Sequence, residues 1–143
     1  MIDIDFSPLA NAIQQLEKSL RFATSDLAKS DPDLFEQFRN SVIQCFEFTY
    51  ELIHKMLKRY LEATAANPQE IEQASFQNLI RIGNERGLLR SDWLQWRTYR
   101  QARTDTSHAY DLHKAQAIYD IAFDFALEAR FLYQQLTAQS QDA

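Results

Sequence analysis

The sequence has little of the two residues that most often interrupt helices, with two glycines and three prolines among 143 residues. Sheets joined by tight turns need many such residues, so an all-β fold is disfavoured. The chain is instead rich in alanine, leucine, glutamine and glutamate, which are good helix formers. The composition therefore predicts an all-α protein with few connections.

Cysteine is almost absent, since Cys45 is the single one. One cysteine excludes an intrachain disulfide and provides no metal-ligand cluster, which suits a reducing compartment. No apolar run approaches the roughly 20 residues of a membrane-spanning helix. The N-terminal segment MIDIDFSP also lacks the basic and apolar regions of a signal peptide. We expect a cytoplasmic protein that contacts no membrane and needs no cofactor or metal.

Apolar residues make up 45% of the chain and aromatic residues 13%, enough for one packed core. We predict a single domain over residues 1–143, whose polar tail from about Thr137 frays. The net charge of −5 disfavours a nucleic-acid surface spread over the whole protein. Between Arg81 and Arg103, however, six arginines accompany only two acidic residues. This segment either faces phosphates or pairs with acidic helices nearby.

Helix signals divide the chain into five patterns. Ser7 before Pro8 and Asp31 before Pro32 are helix-start signatures, and Gly87 is a plausible C-cap glycine. Apolar stripes at helical spacing cover residues 9–27, 34–60, 76–82, 93–100 and 115–136. We predict an antiparallel up-and-down four-helix bundle with one short accessory helix.

A polar strip runs along the second predicted helix. Glu47, Glu51 and Lys55 follow one another at a spacing of one helical turn. The strip is either a solvated ladder of ion pairs or part of a helix interface. In an interface its carboxylates need cationic partners, which arginines of the fourth predicted helix could provide.

The stretch RTDTSHAYD, residues 103–111, interrupts the helical pattern with small polar residues. Asp, Thr and Ser compete for backbone hydrogen bonds, so they predict a helix end or a turn. That reasoning does not explain Arg103, His108 and Tyr110. The histidine could cap a helix or lie at the edge of the core, and the tyrosine could simply pack against the turn.

RTDTSHAYD together with the run RNSVIQCFEFTYELIHKMLKRYLE, residues 39–62, resembles the nucleotidyltransferase substrate-binding subunits of the HEPN superfamily. The resemblance implies a helical bundle that dimerises and works with a separate minimal nucleotidyltransferase encoded nearby. Two positions depart from the residues usual in that family. Thr104 stands where Asn is usual, and His54 stands where Trp is usual.

The resemblance also implies a chemistry. Arg103 and His108 match the shared HEPN pattern of a metal-independent endoribonuclease, in which a ribose 2′-hydroxyl attacks the adjacent phosphorus of RNA. Histidine can move a proton near neutral pH, and arginine can hold a phosphate. A two-fold dimer would provide both proton-transfer groups. By resemblance, Tyr110 would receive AMP from the partner enzyme, which silences the ribonuclease as an antitoxin silences a toxin.

Two other functions stay open. In the first, the chain is a non-catalytic substrate-binding subunit whose pocket is formed by Glu47, Glu51, Lys55, Arg100 and Thr104. In the second, it is a structural dimeric adaptor and the polar strip is a ladder of ion pairs. The Thr104 departure favours the substrate-binding subunit, whereas the intact Arg, His and Tyr pattern favours the ribonuclease.

The dimer axis is predicted near the fourth helix and the RTDTSHAYD turn. Trp93, Trp96 and Tyr99 make that helix unusually aromatic for a surface helix. Exposed aromatic residues are enriched at the centres of protein interfaces.

Overall fold

The computed structural model describes residues 2–142, which form seven α-helices and one 3₁₀ turn and contain no strand. The predicted all-α class is confirmed. No helix in residues 2–142 is long and apolar enough to cross a membrane. The helices are α1 (Ser7–Ala23), α2 (Asp26–Ser30), α3 (Pro32–Thr64), α4 (Pro68–Glu72), α5 (Phe76–Glu85), α6 (Trp93–Asp105) and α7 (Leu112–Asp142).

The caps of α3 and α5 and the glycine after α5 lie where the sequence predicts them. The Asp31 carboxylate accepts hydrogen bonds from the backbone N–H groups of Asp33 and Leu34 at 3.1 and 3.2 Å, and so caps α3. Ser75 caps α5 in the same way. Gly87 follows α5 with φ +72°, a conformation that glycine adopts readily.

The first long helix is shorter than its apolar stripe predicts, because it ends at Ala23 and does not continue to Leu27. The hydroxyls of Thr24 and Ser25 donate to the carbonyls of Leu20 and Phe22 at 2.9 and 2.6 Å, which favours a helix end. The chain then restarts as α2, where Leu27 is exposed. Together with α4, this makes two five-residue helices that the sequence analysis did not predict.

The polar C-terminal tail was predicted to fray, and this prediction is wrong because α7 continues to Asp142. The Gln139 side-chain amide donates to the carbonyl of Arg86 at 2.9 Å. Ser140 is buried, and its carbonyl accepts a hydrogen bond from the Ile2 backbone at 3.1 Å. Tertiary contacts that the local sequence does not reveal therefore hold the last turns.

The core lies between α1, α3 and α7, and α6 packs on α7. Phe46 of α3 and Phe125 of α7 meet edge to face with ring centroids 4.7 Å apart. Both rings are fully buried, as are Leu9, Ile13 and Leu16 of α1. The all-helical packing agrees with the predicted class, and the up-and-down four-helix arrangement stays a prediction.

Trp96 and Tyr99 of α6 are also fully buried within this chain, and Trp93 is half-buried. The Trp96 indole N–H donates to Glu128 at 2.7 Å, and the Trp96 and Tyr99 rings pack edge to face at 5.2 Å. The aromatic richness of α6 reflects core packing, so its use as a marker of an exposed dimer surface was wrong. The homodimer itself stays a prediction.

Candidate functional site

The site is built where α3 and the end of α6 meet. The Arg103 guanidinium donates a hydrogen bond from Nη2 to Glu51, and this nitrogen lies 3.8 Å from Oε1 of Glu47. Its Nη1 lies 3.3 Å from the Thr106 hydroxyl, to which it donates. Two carboxylates of the polar strip thus pair with one arginine of α6, as the interface alternative requires. The guanidinium is held in a defined position by three side chains.

The RTDTSHAYD stretch begins as helix, since α6 continues through Asp105. The Thr104 hydroxyl donates to the Arg100 carbonyl at 3.2 Å, and the Thr106 hydroxyl to the Arg103 carbonyl at 2.6 Å. These bonds let threonines follow the helix to its end. A 3₁₀ turn, Thr106–His108, and Asp111 as N-cap of α7 then complete the predicted break.

His108 and Tyr110 lie on the surface beyond this turn. The Tyr110 hydroxyl is 3.4 Å from Nδ1 of His108, and Tyr110 is 83% exposed. If Nδ1 accepts a hydrogen bond from the Tyr110 hydroxyl, a neutral imidazole carries its N–H on Nε2. His108 is also exposed, so its imidazole is open to a large substrate. Neither side chain lines the cavity beside Arg103.

A cavity of about 570 Å³ opens beside Arg103, between α3, α5 and α6. Of the predicted supporting residues, Glu51, Lys55, Arg100 and Thr104 line it together with Arg103. Glu47 is not part of the lining and faces the site only through its contact with Arg103. The structure therefore brings most of the predicted polar residues to one cavity wall.

Three lining residues were missed as members of the site: Tyr50, His54 and Phe76. Burial raises the pKa of Tyr50 to about 12, against a smaller opposing effect of nearby arginines. His54 was interpreted as structural, because in sequence it is not part of a constellation like that of Arg103, His108 and Tyr110. Its spacing of three residues from Glu51 on α3 was the available signal.

The arginine-rich segment divides between two roles. Arg81 pairs with Glu85 at 2.7 Å, and Arg86 donates to the hydroxyl and carbonyl of Thr64, so both stabilise local structure. Arg100 and Arg103 line the cavity instead. In residues 2–142, no group of three or more His, Cys, Asp or Glu side chains is arranged to hold a metal ion.

Comparison with known proteins identifies the family of this chain. Residues 4–138 match the family model described as nucleotidyltransferase substrate binding protein like. The chain belongs to this family. The resemblance noted from residues 39–62 and 103–111 is therefore confirmed.

Two relatives in Haemophilus influenzae support the assignment. A protein named probable ribonuclease HepT, from strain Rd, is 42% identical over 99 residues, which cover 69% of this chain and 67% of that protein. A solved structure is described as revealing the fold of a substrate binding domain of a nucleotidyltransferase. It matches with a TM-score of 0.86 and 34% identity, over 93% of this chain and 99% of that one.

Proposed function

We propose that this chain is an endoribonuclease of the HEPN type and the toxin of a two-component system with a minimal nucleotidyltransferase. One observation carries the proposal: the Arg103 guanidinium is held by Glu51 in the wall of a polar cavity, five residues before an exposed His108. The ribonuclease name of the 42% identical relative supports the activity. RNA is the proposed substrate, and the cytoplasm is the proposed location.

The reaction is an internal phosphoryl transfer within RNA. The ribose 2′-oxygen loses its proton and attacks the adjacent phosphorus, while the 5′-oxygen leaves and takes up a proton. The products are a 2′,3′-cyclic phosphate and a 5′-hydroxyl. A His108 from each copy of a homodimer would accept and donate these protons, and Arg103 would hold the phosphate by its planar fork. No step requires a metal ion.

The proposed silencing acts at Tyr110. The partner nucleotidyltransferase would transfer AMP from ATP to the tyrosine hydroxyl, with pyrophosphate as the leaving group. The added phosphate brings negative charge next to His108, which the hydroxyl already contacts. RNA phosphates would then be repelled from the site.

The test of catalysis compares His108→Ala with His113→Ala, which changes an exposed histidine at the start of α7. Purified wild type should cleave RNA in EDTA and leave cyclic phosphate ends. His108→Ala should lower the rate by a factor of roughly 10² to 10⁴, since general acid-base catalysis contributes about that much. His113→Ala should cleave as wild type. Equal rates for wild type and His108→Ala would contradict the proposal.

The second candidate function is a non-catalytic substrate-binding subunit. The observation that favours it is the cavity itself, in which Glu51, Lys55, Arg100 and Thr104 converge as they would around a small polar ligand. The description of the 34% identical structure as a substrate binding domain supports the same function. Under this alternative, purified wild type leaves RNA intact and stimulates nucleotide transfer by the partner.

A further inference from the structure

One end of the cavity is formed by His54, Phe76 and Arg100 and has a composition that phosphate binding does not require. There the His54 ring meets the Phe76 ring edge to face, with centroids 4.9 Å apart. The Arg100 guanidinium lies over the same Phe76 ring at 5.7 Å. Phe76 is half-buried and backed by Trp93 at 6.0 Å, so its ring is fixed. A planar group entering the cavity meets aromatic and guanidinium surfaces here.

His54 is the neutral hydrogen-bonding group of this end. Burial lowers the pKa of its imidazole, and the positive charges of Lys58 and Arg100 lower it further. A neutral imidazole has one N–H donor and one nitrogen acceptor. The other charged groups that line the cavity are Lys55 and the Glu51–Arg103 ion pair.

The position of His54 separates it from the bond that is cleaved. His108 is eight residues after Arg100 in sequence, a separation of roughly 12 Å at the helical rise of 1.5 Å per residue. Arg103, which would hold the reacting phosphate, is one helical turn from Arg100, so a base held beside Arg100 would belong to a nucleotide adjacent to that phosphate. His54 would select which RNA sequence is bound, and His108 would carry out the proton transfers.

We propose that His54, Phe76 and Arg100 form a nucleobase subsite that selects one base next to the cleavage position. Single-stranded nucleic acids are held by stacking on aromatic and guanidinium planes, which tolerates every base. Discrimination between bases needs a donor and an acceptor directed at the base edge. In this subsite stacking comes from Phe76 and Arg100, and discrimination comes from His54. The inference rests on the proposed ribonuclease function for the choice of RNA as ligand.

The experiment measures the binding of four fluorescently labelled RNA homopentamers, one for each base. The protein is the His108→Ala variant, which is expected to leave the RNA intact. We expect one pentamer to bind roughly tenfold more tightly than the others, the effect of one well-placed pair of hydrogen bonds. Adding His54→Phe keeps a ring against Phe76 but removes the donor and the acceptor. It should erase the preference and leave the mean affinity within about twofold. Adding His113→Phe, at an exposed position, should leave the preference intact.

A measurement without a variant at His54 protects the test from misfolding. The imidazole ¹⁵N resonances of His54 should shift with the preferred pentamer and much less with the others. Parallel titrations with the four nucleoside monophosphates show whether a free nucleotide or an RNA strand is the ligand. Equal affinities for all four pentamers, or a preference unchanged in His54→Phe, would overturn the subsite. If the base preference is observed but the wild-type protein never cleaves RNA, the ribonuclease proposal is overturned and the subsite is not.

Discussion

Glu128 shows how a single buried residue can make stability depend on pH. It is fully buried on α7, and Oε1 accepts hydrogen bonds from the Trp96 indole at 2.7 Å and the Ser91 backbone at 3.2 Å. Oε2 has no hydrogen-bond partner within residues 2–142. Burial raises the pKa of the carboxyl above its ordinary 4.5, although these hydrogen bonds oppose the shift.

The sign of the pH effect follows from proton uptake. Between the unfolded and the raised folded pKa, the folded state binds more protons, so the free energy of unfolding falls as pH rises through that window. Glu128→Gln keeps an acceptor for Trp96 and Ser91 and carries no charge. We therefore expect it to flatten this fall and to be more stable than wild type at pH 7. Urea unfolding between pH 4 and pH 8 measures the difference.

Two comparisons make this prediction specific. Glu36→Gln, at an exposed position of α3, should leave the pH profile unchanged. Glu128→Leu should be less stable than wild type by roughly 1–3 kcal/mol for each donor left without a partner. If Glu128→Gln unfolds with the same pH dependence as wild type, ionisation of Glu128 does not destabilise the fold.

At the scale of helices, the polar end of α7 is expected to contribute to stability. Gln139→Ala removes the hydrogen bond to the Arg86 carbonyl, so the free energy of unfolding should fall by roughly 0.5–1.5 kcal/mol. Gln141→Ala changes an exposed glutamine two residues further on and should have little effect. Thermal unfolding of both variants tests the difference. Equal melting temperatures for the two would mean that the tail is not held by this contact.

Helix ends show which parts of the fold could be predicted from sequence. The caps at Asp31 and Ser75 were predictable because cap and helix are adjacent in the chain. The helical end of α7 was not, because its contacts come from Arg86 and Ile2, distant in sequence. The end of α1 before Leu27 was missed because apolar spacing alone does not reveal hydroxyl–carbonyl bonds.

The same distinction applies to the candidate site. Its polar residues were predictable because one strip of α3 carries Glu47 and Glu51, and arginines of the fourth predicted helix could pair with them. Phe76 was missed as a site residue because α5 reaches the cavity only through tertiary packing. His54 is on α3, and its ring contact with Phe76 is not apparent from the local sequence. Trp96 was misjudged for a similar reason, since its partner Glu128 is on a different helix.

For the whole molecule, the proposed reaction predicts a homodimer. His108 is the single histidine of the RTDTSHAYD stretch, while the proposed reaction needs a proton acceptor and a proton donor. A two-fold axis close to the turn would bring two copies of His108 to one groove. Sedimentation velocity at micromolar concentration should therefore show a dimer. A monomer that cleaves RNA at full rate would contradict this composite site.

The partner nucleotidyltransferase is expected to modify Tyr110 and no other tyrosine. Tyr110 is the one exposed tyrosine of the six, whereas burial raises the pKa of Tyr50 and of Tyr99 to about 12. Co-expression with the partner should add mass in steps of one AMP, on the peptide that contains Tyr110, and should abolish RNA cleavage. Tyr110→Phe should stay active and resist silencing, and Tyr133→Phe, at a half-buried position, should be silenced as wild type.

Peptide mass spectrometry detects the modification of Tyr110, and a growth assay detects silencing of the ribonuclease. Protection by the partner without modification of Tyr110 would mean that inhibition works through binding alone, because no charge would then have been added beside His108.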